Sequence, residues 1–388
     1  MHNLTLTIQR ELHRMTSRRI YLVACIVLPL FSLVFMATIF GNGKMEDLPV
    51  GVVDADNSSA SRSIIRMVEA TPQLRIVRHY ANETEARMDV QRKVIYGYLV
   101  IPSGYAAKVG NNEEVTLCYY YHNAMLSVGG ELRSTFEQLL KQLSITPIVT
   151  QAMALGEEEE TVTSFLMPVS DEEFPIYNQN RNYTVYLSQP FFFVFLQTLL
   201  LLVTVYSLGS ESKYGTAKEW LQSAGGDICI AVMGKLLPYT CIFIAIGLFA
   251  NWVFFGWMKI PMPCSLWLIN GVTALFICAT QALALFLYSL FPVLGLIISV
   301  VSMIGSLGAT LSGVTFPVSF MDTPVYAVSF LFPVHHYMEV VQSLLYTDGS
   351  FADVGVNWVV LLLFILLPVF LLPRLKNTLI THRYEAFE

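Results

Sequence analysis

Charged side chains are rare in the C-terminal half of this 388-residue chain, and one place collects them. The stretch Leu208–Leu237 holds Glu211, Lys213, Lys218, Glu219, Asp227 and Lys235 between two apolar runs. Ions placed there can face only water or another protein, so the stretch reads as a docking element. Gly234-Lys235 does not end a phosphate-binding loop. Cys229 stands where the first glycine belongs and Leu236 follows the lysine, so no nucleotide is held this way. His335, His336 and Glu339 have a metal-like spacing without an evident third ligand, and read as an interfacial polar cluster. Asp54 and Asp56 close a short strand as turn residues, and His79 and His122 stand alone in sequence. Neither GxSxG nor HExxH occurs. No catalytic, cofactor-binding or metal-binding residues are expected.

The elements around these residues follow from composition. The chain is 54% apolar and 13% charged, with a mean hydropathy of +0.55. Soluble domains carry about 25% charged residues. The deficit is local: residues 41–188 are charged in the ordinary way and residues 189–373 are almost uncharged. This points to a helical membrane protein with one inserted water-exposed domain. Six cysteines are scattered without CxxC or metal spacing, and no disulfide framework is implied.

Residues 1–19 place Leu4, Ile8, Leu12 and Met15 at helical spacing with four arginines elsewhere, which predicts an amphipathic helix lying in the interface. The apolar run 20–40 is longer than a signal-peptide core and is read as a retained first span. Residues 41–188 form the inserted domain. Within 48–155 the order β-α-β-α-β-β-α, ending in a long helix over 125–155, predicts a small sheet with helices packed on it. Five further spans are predicted at 190–208, 228–257, 266–290, 292–313 and 356–373. The fold class is therefore an α-helical integral membrane protein of six transmembrane helices with an inserted α/β extracytoplasmic domain. In the membrane domain, 189–388, Gln197, Asn251 and Gln281 read as glue between helices.

Orientation follows from charge. With the N-terminus inside, segments 1–19, 209–235, 291–292 and 374–388 hold four, three, zero and three Lys/Arg, while the short outer loops hold only Lys259. Both termini are then cytoplasmic and the inserted domain lies outside. The outer loop 314–355 has no Lys or Arg but is rich in Phe and Pro, and reads as half-helices dipping into the bilayer. The spans carry no mid-membrane Asp or Glu, which a proton-coupled carrier needs. The layout is a transporter's without an energy source of its own.

Three ordered motifs carry a resemblance. The first is Glu211, Gly215-Thr216, Trp220-Leu221 and Gly234-Lys235. The second is Ser312-Gly313, Phe316-Pro317, Met321, Pro324 and Pro333. The third is Tyr177-Asn178 with Pro190. With six spans and the outer domain after the first, the chain resembles the permease subunits of bacterial type-2 ATP-binding-cassette exporters. Ala224-Gly225-Gly226 departs from the small residue and proline often found there. The resemblance implies that residues 209–227 couple to a separate ATPase through Glu211, Gly215, Thr216, Trp220 and Leu221. It implies a re-entrant outer gate at Ser312, Gly313, Phe316, Pro317, Pro324 and Pro333. It also implies a second permease copy, ATP and Mg held only by the partner ATPase, no nucleic acid, and the bacterial inner membrane. Physically, Thr216 could cap the next helix, Trp220 and Leu221 could anchor the partner, and Glu211 could pair with a partner's basic residue. The expected cargo is amphiphilic, drug-like or lipid-like, taken from the membrane lipid and passed to a periplasmic adaptor. Two other classes stand beside this one: an ion-gradient-driven carrier, and a non-transporting receptor or scaffold using the outer domain.

Overall fold

The computed structural model describes residues 2–41, 43–111, 113–154, 178, 182–346 and 354–381. The chain divides into two units, Met1–Gly43 with Tyr177–Glu388, and Lys44–Ile176. Helix α1 (His2–Ser17) opens the first unit, and α2 (Arg19–Ile39) follows. Pro29 has no N–H for the preceding turn. A π-helical turn over Val23–Val27 sits where that bond is lost and absorbs the misfit.

The second unit runs β1 (Leu48–Asp54), α3 (Ser59–Glu69), β2 (Leu74–Tyr80), α4 (Glu83–Gln91), β3 (Gly97–Ile101), α5 (Tyr105–Gly110), β4 (Cys118–Tyr121) and α6 (Leu126–Ala154). The strand order is β2-β1-β3-β4, with β4 alone antiparallel. β1 lies inside the sheet, and its Val50 and Val52 are buried with Ile64, Val68, Leu99 and Phe136. Ser58 caps α3 in a reciprocal pair with Ser61. Helix α5 is an addition to the expected order. The turn Pro102-Ser103-Gly104 continues into it because the Asp56 carboxylate accepts the Ala106 N–H at 3.1 Å. Burial and the Asp89 carboxylate, which accepts its hydroxyl at 2.8 Å, push the Tyr80 phenol up to about 12.

The first unit resumes with α7 (Thr184–Lys213), α8 (Ala217–Ser223), α9 (Ile228–Trp257), α10 (Leu266–Leu290) and α11 (Leu294–Leu311). Helices α12 (Thr323–Ser329), α13 (Pro333–Tyr346) and α14 (Gly355–Thr381) complete it. Among the described residues six helices are long and apolar enough to cross a membrane: α2, α7, α9, α10, α11 and α14. α7 is the hub, with 72% of its most apolar window buried, whereas α2, α11 and α14 bury 22%, 28% and 22% and leave faces open. Polar side chains cross-link the helices inside. Asn251 donates to Asn270 and Thr273, both at 2.9 Å, and Gln281 donates to the Leu236 carbonyl at 3.3 Å.

Candidate functional site

Three helices meet near the end of α7, and their junctions are glycine turns. Gly215 lies at φ +67°, its N–H bonds the Ser212 carbonyl at 3.1 Å, and the Thr216 N–H bonds the Glu211 carbonyl at 2.9 Å. Such a left-handed stop favours glycine because a Cβ is strained there. α8 ends in the same way. Gly225 lies at φ +68° and donates to Gln222 at 2.9 Å, and Gly226 donates to Leu221 at 2.8 Å. Asp227 then caps α9 by accepting the Cys229 N–H at 2.8 Å. Ala224-Gly225-Gly226 thus makes a helix stop without proline.

Behind α8 the ions collect. Glu211 accepts from Arg10 Nη1 at 2.8 Å and Nη2 at 3.0 Å, from Lys235 Nζ at 2.8 Å, and from Arg14. Lys235 Nζ also reaches Glu11 at 2.6 Å, whose other oxygen takes the Tyr239 hydroxyl at 2.6 Å. Arg14 bonds Ser210 at 2.6 Å. Glu11, Glu211 and Lys235 are 1%, 0% and 0% exposed. Ions so deep are tolerable only when each is paired and hydrogen-bonded. Two carboxylates and three cations meet that condition. Burial alone would lower the pKa of Arg10, but the hydrogen bond and charge of Glu211 outweigh it and hold the guanidinium above its ordinary value. The node ties α1 to α7 and α9. It forms because α1 lies on the backbone of α9: a Cβ on Gly234 would come within 2.7 Å of Thr7 Cβ.

This geometry corrects several sequence expectations. Glu211 belongs to α7, whose helix runs past the apolar stretch to Lys213 because the cations neutralise it, and within the chain it pairs with Arg10, Arg14 and Lys235. Thr216 takes the N-cap position of α8 without capping it; its hydroxyl donates to Glu211 at 2.5 Å. Trp220 and Leu221 are buried in this chain, where they seat α8. The Trp220 indole donates to the Ala231 carbonyl at 3.1 Å, and Lys235 Nζ lies 5.3 Å from its ring centre. The exposed side of the segment is instead Lys213, Tyr214, Gly215, Lys218, Glu219 and Gln222. Of the expected apolar face of α1, Met15 is buried, Leu4 and Ile8 are half-buried and Leu12 is exposed, and the face packed within the chain also takes in Thr7 and Glu11. The spacing of Thr7, Glu11 and Met15, each four residues apart, is the signal that could have found this face.

The far end of the same unit holds the second set. Gln197 accepts the Val334 N–H at 2.9 Å, so α13 begins against the middle of α7. Gln189 then reaches Tyr337 at 3.3 Å and Tyr346 reaches the Val185 carbonyl at 3.5 Å, so α13 climbs along α7 to its end. From Val185 to Gln197 the helix rises about 18 Å. Yet Val314, before α12, already sits at that end, where its carbonyl accepts the Tyr186 hydroxyl at 2.5 Å. The intervening chain therefore goes in and comes back. Ser312 is buried, Gly313 turns at φ +83°, and Phe316 is exposed. Pro317 precedes the short turn Val318–Phe320, Pro324 lies in the first turn of α12, and Pro333 starts α13, where a missing N–H costs nothing. Of the third motif, Asn178 caps the Asn182 N–H at 2.8 Å and Pro190 is buried in α7; Tyr177 lies outside the described residues.

A family model described as ABC-2 family transporter protein matches residues 19–372. The chain belongs to the ABC-2 transporter family. It is a multi-pass membrane permease of the ATP-binding-cassette type, a transport subunit. No curated protein matches it by sequence. The matched span takes in both motif regions and the inserted domain, and leaves α1, which supplies Glu11, Arg10 and Arg14, ahead of it.

Proposed function

We propose that this ABC-2 chain pairs with a second copy to form the pathway of an ATP-driven exporter, and that a separate ATPase docks on the exposed side of Lys213–Gln222. The ion node supports this reading most. It joins α1 and the ends of α7 and α9, while Trp220 and Leu221 fix α8 to the same place. A push on α8 is therefore delivered to two spans and to α1 together, as a rigid-body displacement. In this reading the α1 end is cytoplasmic, which the arginine and lysine distribution supports, and the inserted domain faces the periplasm. The two copies meet through α11, whose open face carries Gly295, Ser299, Ser302, Ser306 and Thr310 at steps of three and four residues. Small polar residues suit a helix contact or a pathway wall better than lipid tails do. The cargo is amphiphilic and enters from the bilayer, and the inserted domain passes it to an adaptor.

The test is a photocrosslinking residue at Lys218 or Gln222 in the full chain, expressed in the native host. The expected product is a crosslink to an ATP-binding-cassette ATPase identified by mass spectrometry. Tyr214→Ala with Lys218→Glu should then abolish transport without lowering the melting temperature. Crosslinks that never contain an ATPase would remove the docking assignment.

A further inference from the structure

Between α12, α13 and the start of α14 lies a cavity of about 460 Å³, at the end of the unit opposite α1. Pockets of several hundred Å³ suit a small organic ligand. One wall carries Glu339, which is half-buried and has no hydrogen-bond or ion-pair partner among the described residues. Residues 314–355 contain no Lys or Arg that could neutralise it. One helical turn earlier, His335 lines the same cavity, is 3% exposed, and has no hydrogen-bond partner for Nδ1. Its neighbour His336 is already committed, with Nδ1 2.7 Å from Asn357 Oδ1 and Nε2 3.0 Å from the Phe330 carbonyl. Phe330 and Tyr326 add ring faces to the cavity, and Val318 and Met321 make it apolar on another side.

A half-buried carboxylate without a salt bridge lacks compensation for leaving water. An ammonium brings the positive charge that Glu339 needs, and aromatic faces attract it further. The unpartnered His335 Nδ1 has no surface open to the cavity. Anions meet the Glu339 charge. A metal ion would find two ligands, since no third His, Cys, Asp or Glu joins them among the described residues, and a zinc site takes three or four.

We propose that this cavity binds an organic ammonium with a hydrophobic body, Glu339 holding the charge beside the ring faces of Tyr326 and Phe330. The inference deepens the permease reading by naming a ligand class, and it rests on that reading only for the ligand's use as cargo.

The experiment is equilibrium binding of tritiated 2-phenylethylamine to the full chain in lipid nanodiscs, with neutral 2-phenylethanol as competitor. Saturable binding is expected, undisturbed by the alcohol. Glu339→Gln should weaken it by about tenfold or more, as expected for losing a charged partner. Thermal melting checks that each variant is folded. If Glu339→Gln melts early, Glu339→Asp serves in its place, with weakened but measurable binding expected. Absence of saturable binding, equal binding by folded Glu339→Gln, or displacement by the alcohol as effective as by the amine would overturn the proposal. The assay contains no ATPase and no flux. Its failure leaves the permease reading intact, and a failed crosslink at Lys218 leaves the ammonium site intact.

Discussion

Lys235 is the residue on which the α1 end depends. Its ammonium lies between Glu11 and Glu211, with no solvent to replace it. Lys235→Met should therefore destabilise the protein by about 3–5 kcal/mol, the cost of stranding buried charge. Adding Glu11→Gln should recover part of that loss, because one stranded carboxylate is removed with the cation. A double-mutant cycle on unfolding in detergent reads the difference, and strictly additive losses would mean that the two groups are not coupled. Of this node only half is legible in the sequence. Glu211 and Lys235 stand out as ions between apolar runs. Glu11 does not, because it sits in a helix already rich in charge and its partner is 224 residues away. No local period links them.

The helices themselves were easier to read than their ends. The spans 228–257 and 266–290 match α9 and α10, since apolar length decides where a helix can cross. Apolarity predicts the second span at 190–208, whereas α7 extends from Thr184 to Lys213. Apolarity stops where polar residues begin, but the helix continues through a π turn on one side and a neutralised glutamate on the other. The breaks between the short helices after α11 follow from the prolines there. The packing of Val334 against Gln197 does not show in the sequence, because that bond spans separate elements. α8 shows what a local rule can still predict. Gly215→Ala puts a Cβ at φ +67° and should cost about 1 kcal/mol or slightly more, while Gly215→Asn, which tolerates that region, should cost less. Melting temperatures of the two variants give the order. Alanine proving as stable as asparagine would mean that the turn has relaxed.

On the scale of the whole molecule, the open face of α11 predicts how two copies meet. In a background lacking the exposed native cysteines, Ser302→Cys should give a disulfide-linked dimer on mild oxidation. Val359→Cys on α14, 56% exposed among apolar neighbours, should not. The reverse pattern would move the interface to α14. The placement of the node's charges also has a consequence for biosynthesis. Glu11, Arg10 and Arg14 leave the ribosome before Lys235, which follows Glu11 by 224 residues. At roughly 5–20 residues per second, these side chains wait on the order of ten to forty seconds for their partner. Until then α1 has no neutral place to dock and stays at the membrane surface. A helix made well before α9 therefore settles only once α9 has been inserted.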